Sequence, residues 1–396
     1  GGGRVARHHP REVERRHREH EAVERALFQR IPGAGRAARL FAHDLFGEDP
    51  EVFQSRVKEV IDREGTEIDI GSVNKQNWCL AILRSGQGAD RRALWIDYDS
   101  GGGHGHMDGM NIGYFSKGLD LVPDFGYPPV GYGGWTAPRA TWYMKTASHA
   151  TVVVDGKNQT KAQGKTTLWA DGDGFRAIRV SSPEMIGGET YERTVAMIDF
   201  DAQDSYIVDC FRVNGGSDHA KFFGSSFGTI TTNGLNLSDA PDFGDDTQMR
   251  SFKTDAKAAP GWSVDWKIDD KYGYVADNRD IHVKYTDHTE NAEASICEAW
   301  VDTGIYGEAS EWIPRVMIRR KGDAGLESTF VSVIEPYEGA SKIAKIRKVP
   351  LDSGSGLALE ITRADGTTDV VLINDGKDPM EIAARALTAN GEVIFT

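Results

Sequence analysis

Met110-Asn-Ile-Gly-Tyr-Phe-Ser-Lys117-Gly118-Leu-Asp-Leu-Val-Pro123 reads as two short strands joined by a two-residue turn. Apolar residues run up to Lys117-Gly118 from both sides, and the glycine supplies the backbone freedom that a tight hairpin needs. Such a hairpin brings the residues before 110 close to those after 123. Before it lies Arg92-Ala-Leu-Trp-Ile-Asp-Tyr98, a strand by its alternation, and then the glycine-rich turn Gly101-Gly-Gly-His104-Gly-His106-Met-Asp108. After it come Asp124 at a strand end and His149, in Ala147-Ser-His149-Ala-Thr-Val-Val-Val-Asp155.

Working outward, the period of two persists from residue 66 onward. Strand candidates are 78–83, 93–98, 110–116, 119–123, 151–154, 175–180, 191–198, 206–213, 219–223, 281–285, 294–301, 316–320, 329–335, 358–362 and 369–373. Turn signals at Asp155-Gly156, Asn214-Gly-Gly216 and Asp365-Gly366 separate them. The expected fold is mainly β: a large antiparallel β-sandwich over 66–338 and a small C-terminal β subdomain over 339–396. The sandwich is expected to end near Glu335-Pro-Tyr337, and the polar run 235–265 to be an exposed loop. Helical periodicity is confined to the N-terminal segment 1–65, in three pieces at 11–29, 36–46 and 50–63.

The chain has 396 residues, 39% of them hydrophobic, with 45 glycines and a formal net charge of −14. The composition suits a turn-rich β protein and offers no basic excess to neutralise nucleic-acid phosphates. A local basic cleft for an anionic polysaccharide remains compatible with an acidic chain. The widely spaced Cys79, Cys210 and Cys297 form neither a zinc-finger pattern nor a disulfide framework, and Cys79 and Cys210, in apolar strand-like runs, read as buried thiols. No run of apolar residues is long enough for a membrane span. The chain opens on Gly1-Gly-Gly-Arg4 rather than Met, as a fragment or processed product would, so the lack of a visible signal peptide carries little weight.

Two imidazoles and one carboxylate on different strands suit zinc, and the hairpin makes His106, Asp124 and His149 a convergent set. The competing reading is of polar loop-end residues bonded to backbone. Asp108 is expected to support the turn or a ligand histidine through hydrogen bonds. Between Gly126 and His149 lie Tyr127, Tyr132, Trp135, Arg139, Trp142, Tyr143 and Lys145. Trp135 is suited to stack on a sugar face and Arg139 to pair with a uronate or sulfate, although each could equally be an edge-packing residue. His282 and His288 read as surface residues; His219, beside a strand, could face the cleft, although a purely structural role is the simpler reading. The acids Asp239, Asp242, Asp245 and Asp246 do not have the spacing of a calcium loop.

The runs Gly103-His-Gly-His-Met-Asp108, Gly118-Leu-Asp-Leu-Val-Pro-Asp-Phe-Gly-Tyr127, Thr146-Ala-Ser-His-Ala-Thr-Val-Val-Val-Asp-Gly156 and Val208-Asp-Cys-Phe-Arg-Val-Asn-Gly-Gly216 resemble the heparinase II/III-like polysaccharide lyases. The order and spacing of these motifs carry the resemblance, chiefly over residues 75–230. It implies an α-helical toroid followed by an antiparallel sandwich, with the active site between them. It implies that His106, Asp124 and His149 hold a structural Zn2+, that His104 lines the catalytic cleft, and that Tyr132, or else Tyr143, acts as acid or base. Ala150 stands where an Asn usually follows the zinc histidine. Residues 1–65 would be a toroid remnant or a linker, which leaves part of the active site outside this chain.

The implied activity is β-elimination on a uronic-acid-containing glycan by a secreted or periplasmic enzyme, the location following from the substrate class alone. The alternatives are a non-catalytic carbohydrate-binding module and a zinc-dependent hydrolase; the latter would need a general base beside an open metal position. The glycan and the mode of cleavage are left open, as is assembly as a homo-oligomer.

Overall fold

The computed structural model describes residues 50–65, 70–102, 105–127, 129–276, 278–303, 309–375, 380–382, 387–389 and 393–395. The expected helices at 11–29 and 36–46 lie outside these residues. The third is present as Pro50–Glu64, with Lys58 and Asp62 paired one turn apart on its exposed surface. It belongs to a unit of its own, 1–70, while residues 71–396 form a second unit.

The second unit is built from antiparallel sheets. Five strands, Val73–Lys75, Leu80–Ser85, Arg92–Asp97, Asn111–Ser116 and Leu119–Val122, lie side by side in that order. An eight-stranded sheet runs in the order Gly228–Asn233, Trp262–Ile268, Ile281–Asp287, Glu327–Glu338, Ser205–Asn214, Thr190–Asp199, Phe175–Ser181 and Lys165–Gly172. A six-stranded sheet places Val152–Val154 at one edge, beside Asp218–Gly224 and then Ser310–Lys321.

The main core lies between the inner face of the eight-stranded sheet and the other two. Val195, Met197, Ile207 and Phe211 meet Leu94, Ile96, Ile112, Leu121 and Ile318 there. The opposite face of the eight-stranded sheet is also covered: Ala196, Ile198, Tyr206, Val208 and Cys210 pack on Leu357, Leu359, Ile361, Val371 and Ile373 of the C-terminal four-stranded sheet. Burial on both faces explains why 195–198 and 206–208, within Thr190–Asp199 and Ser205–Asn214, are unbroken apolar stretches rather than a strict alternation. Tyr206 reinforces this layer by donating to Asp369 at 2.9 Å, and Arg179 by donating to the Asn374 carbonyl at 2.8 Å. Cys79 and Cys210 are buried and unbridged, as expected, and so is Cys297.

The structure corrects two boundaries. The run 235–265 is not simply a loop, because Met249–Asp255 and Trp262–Ile268 are strands. The first is interrupted by a bulge between Arg250 and Lys253, which breaks its alternation. Nor does the strand expected over 329–335 stop before Pro336, which lies inside Glu327–Glu338. Pairing with Ser205–Asn214 has already ended at Ile334, so the missing N–H of the proline falls where the ladder continues on one side only. The hairpin at 117–118 forms as expected. Lys117 and Gly118 have φ of 58° and 85°, and a Cβ on Gly118 would come within 2.9 Å of Val275.

Candidate active site and metal centre

The hairpin performs the convergence that its sequence suggests. Asn111, at the start of one strand, donates from Nδ2 to Asp124 Oδ2 at 2.7 Å, and its own Oδ1 accepts the Ala150 N–H at 2.9 Å. A single amide thereby joins the three chain segments that carry the candidate ligands. The glycine turn closes through Gly101 N–H to the His106 carbonyl at 2.6 Å, and Met107 N–H donates to the Met144 carbonyl at 3.0 Å.

Within this corner His106, Asp108 and His149 offer ligand atoms that all lie within 4.8 Å of one another. The His106 and His149 rings are 5.5 Å apart between centroids. Asp124 Oδ2 stands 3.1 Å from His149 Nδ1, and Asp124 Oδ1 accepts the Gly126 N–H at 2.7 Å. Burial alone would raise the Asp124 carboxyl, but the charge and hydrogen bond of His149 and the Gly126 N–H outweigh it and bring it to about 2. Asp108 moves the other way, pushed up by burial against the pull of His149. His149 is buried, and its Nε2 has no hydrogen-bond partner. Two imidazoles beside carboxylates, with one ring nitrogen buried and unmatched, fit a zinc ion.

The sequence reading missed the residues that hold this corner in place. Arg193 is fully buried, pairs twice with Asp209 at 2.8 Å, and donates from Nη1 to the carbonyls of Met110 and Ala150, each at 2.5 Å. Lys221 completes the triad, donating to Asp209 at 2.7 Å and to Ser332 at 3.0 Å. Arg315 donates to the carbonyls of Ser148 and His149 at 2.7 and 2.6 Å. Burial lowers its guanidinium to about 10. The signal was available as single charged residues inside apolar strand runs: Val208-Asp209-Cys210 and Ala220-Lys221-Phe222.

The aromatic segment folds into the short helix Pro138–Tyr143 and the turn before it. Trp142 and Tyr143 are core residues of the outer layer, beside Phe222, Phe252 and Trp300. The Arg139 guanidinium lies over the rings of Tyr132, at 5.0 Å, and Trp300, at 4.8 Å, and has no carboxylate partner among the described residues. The Tyr132 hydroxyl is buried without a hydrogen-bond partner. Tyr143 differs, because its hydroxyl accepts the Asp302 N–H at 2.8 Å and burial pushes its pKa well above the usual tyrosine range. Trp135 is half-exposed and meets Tyr127 edge to face at 5.4 Å. His104 lies outside the described residues. A cavity of about 50 Å³ reaches from Asp124 and His149 past Tyr143 to Trp300 and Arg315, room enough for ordered water. His288, expected at the surface, is buried, while His282 lies between Asp265 and Asp280.

Residues 94–217 match the family described as heparinase II/III-like, C-terminal. An alginate lyase from Stenotrophomonas maltophilia (strain K279a) is 23% identical over 347 residues, which cover 79% of this chain and 45% of that protein. A heparan sulfate lyase from Pedobacter heparinus has a similar fold, with a TM-score of 0.59 at 16% identity, over 82% of this chain and 46% of its own. A heparinase III structure gives 0.57 at 16% identity, over 80% and 44%. The chain thus spans about half the length of these relatives. Among the described residues no helix is long and apolar enough to cross a membrane. Residues 94–217 are therefore similar to the heparinase II/III-like C-terminal family, on a β-sandwich fold shared with those solved structures.

Proposed function

We propose that this chain is the sandwich portion of a polysaccharide lyase that cleaves a uronate-containing glycan by β-elimination. The observation that carries the reading is the pairing of a histidine–aspartate corner with an arginine-backed tyrosine in one heparinase II/III-like region. A uronate C5 proton is poorly acidic beside an ionised carboxylate. A lyase must neutralise that carboxylate, remove the proton and protonate the departing O4. Arg139, held over the rings of Tyr132 and Trp300, supplies the cation that pairs with the carboxylate. Tyr132 supplies the hydroxyl that moves the proton; it is buried, but no internal hydrogen bond commits it. Tyr143 is the weaker candidate because its hydroxyl is already engaged by Asp302. His104 assists from the turn that precedes His106, and Trp135 stacks on a sugar ring at the exposed rim.

His106, His149 and a carboxylate from Asp124 or Asp108 would hold zinc, which would fix the 101–111 loop and the segment entering Val152–Val154 relative to each other. Activity on such a polymer implies export to the periplasm or the cell exterior. The test is incubation of the full chain with a panel of uronate glycans, read by the ultraviolet absorbance of the conjugated unsaturated uronate that elimination alone produces. Absorbance that rises and is lost in Tyr132→Phe supports the reading. Glycan retained on an affinity gel with no unsaturated product from any polymer would replace it with a binding module. Products without unsaturation would point to a hydrolase.

A further inference from the structure

Beside the metal corner, on the far side of Pro123–Phe125, lies a cleft of about 270 Å³. Its walls include Asp120, Phe227, Asp269, Asp270, Tyr272 and Tyr274. Tyr274 is 74% exposed and Tyr272 52%, values unusual for large aromatic side chains and found here side by side. Their rings are 5.9 Å apart, tilted by 50°. Tyr272 is fixed in place: its hydroxyl donates to the Thr303 carbonyl at 3.2 Å and its ring meets Phe227 edge to face at 6.0 Å. Among the described residues the one cation in the lining is Lys271, which lies over Phe227 and is ion-paired with Glu311. The remaining charge in the lining is negative, from Asp120, Asp124, Asp269, Asp270 and Asp302.

We infer that this cleft binds a pyranose unit that carries no acidic group, a neutral hexose or a hexosamine, next to the uronate at which cleavage occurs. The inference rests on the lyase reading for its position in the polymer and on the cleft for its chemistry. The volume is just below the roughly 300 Å³ at which pockets for larger ligands begin, and so suits one sugar ring. The tyrosine faces offer stacking to the C–H side of a ring. Carboxylates accept hydrogen bonds from sugar hydroxyls and from an amine or amide N–H. A uronate or sulfate in the same place would meet several like charges in a partly desolvated cleft, which is how a site rejects the wrong partner. The substrate would then alternate acidic and non-acidic units, unlike a homopolymer of uronates.

The test is calorimetric titration of the full chain with two tetrasaccharides of equal length, one alternating uronate with N-acetylhexosamine and one made of uronate alone. The alternating chain should bind about tenfold more tightly, the equivalent of about 1.4 kcal/mol. Tyr274→Ala should erase that preference while leaving the all-uronate affinity unchanged. Asp269→Asn, a nearly isosteric change, should narrow it from the other direction by improving the all-uronate ligand. Equal or tighter binding of the all-uronate chain overturns the inference, and so does a preference that survives in the Tyr272→Ala/Tyr274→Ala double variant. All-uronate binding that appears only with added calcium also overturns it, because the acids would then form a cation site. Elimination activity without the preference removes this inference and leaves the lyase reading intact. A tyrosine-dependent preference with no elimination on any glycan does the reverse.

Discussion

Two buried clusters of charge sit a few residues apart in this sandwich, and they are finished to different degrees. Arg193, Asp209 and Lys221 are fully buried, and each charge meets its opposite at hydrogen-bonding distance. Asp209 is held well below the usual carboxylate range despite burial, because Arg193 and Lys221 more than compensate. The corner formed by His106, Asp108, Asp124 and His149 is the reverse. Asp108 is pushed up, as is Asp97 by burial and by Asp108 itself, and His149 Nε2 has no partner. An unmatched buried group calls for an explanation, and at His149 the ligand atoms of His106 and Asp108 close beside it supply one, a metal ion. The finished cluster holds the backbone at Met110 and Ala150, and the unfinished one projects its side chains from those same segments. A rigid, self-sufficient network supports a site completed from outside.

The sharpest way to break this contrast is to remove the centre of the finished cluster. Asp209→Ala leaves two buried cations unpaired and should cost about 3–5 kcal/mol of unfolding free energy, seen as a lower denaturation midpoint with or without a chelator. Tyr132→Phe should leave stability nearly unchanged and, if this chain is active, lower kcat by roughly 10²–10⁴-fold, the usual range for an acid–base group. Tyr143→Phe should instead cost about 1 kcal/mol of stability, the net value of one hydrogen bond, with a smaller effect on kcat.

The unfinished cluster should respond to metal. Zinc at a hundredfold excess over its dissociation constant should add about 2.7 kcal/mol to stability, measured as a rise in midpoint that the chelator reverses. His149→Ala should abolish the gain while leaving the Asp209 network intact. Asp108→Asn and Asp124→Asn then separate ligand from support. The variant that only orients a histidine should lose about 10–100-fold in zinc affinity, and the one that removes a ligand should lose more. Equal small losses in both would mean that neither carboxylate touches the ion.

The histidines of the site were legible because local chemistry fixes them: a tight turn at 117–118 determines what lies on either side of it. The partition between Asp108 and Asp124 was not legible, because a glycine turn sets no side-chain period. The clamps Arg193 and Arg315 were missed for a related reason. A charged residue in a strand is expected to face water, whereas Arg193 shares the inner face with Val195 and Met197, and Arg315 shares a face with Met317 that Trp142 and Phe222 cover, burial that the strand itself does not announce. The strand Trp262–Ile268 was a different failure, since Trp262, Val264 and Trp266 do alternate with polar residues, and only the surrounding Asp, Gly and Ser content suggested a loop. Pro336 misled as well, since a backbone N–H faces one neighbour only and a proline is tolerated where the strand is paired on one side alone.

The smallest expected effect separates histidines that await a ligand from histidines that are merely enclosed. His219 is buried, with Nδ1 2.8 Å from Ser328 Oγ and Nε2 2.5 Å from the Gly215 carbonyl. His288 is buried near Lys348, with Nε2 unmatched. Burial lowers both imidazoles below the ordinary value of 6.5; the Gly215 carbonyl opposes this at His219, and Lys348 adds to it at His288. The folded chain therefore favours their neutral forms, and the unfolded chain binds more protons as the pH drops. Their contribution is fully present above pH 6.5 and is lost as pH falls through 6.5 towards the lowered folded values. Buried acids with raised values, Asp108 and Glu335 among them, pull the other way over part of that range, so the comparison must be made between variants. His288→Gln keeps a polar side chain without the titration, and its stability should fall less steeply than that of the parent below pH 6.5. Zinc should leave that difference in slope unchanged, because His288 takes no part in the metal corner. A zinc-dependent difference would mean that the enclosed histidines and the ligating ones are coupled through the core.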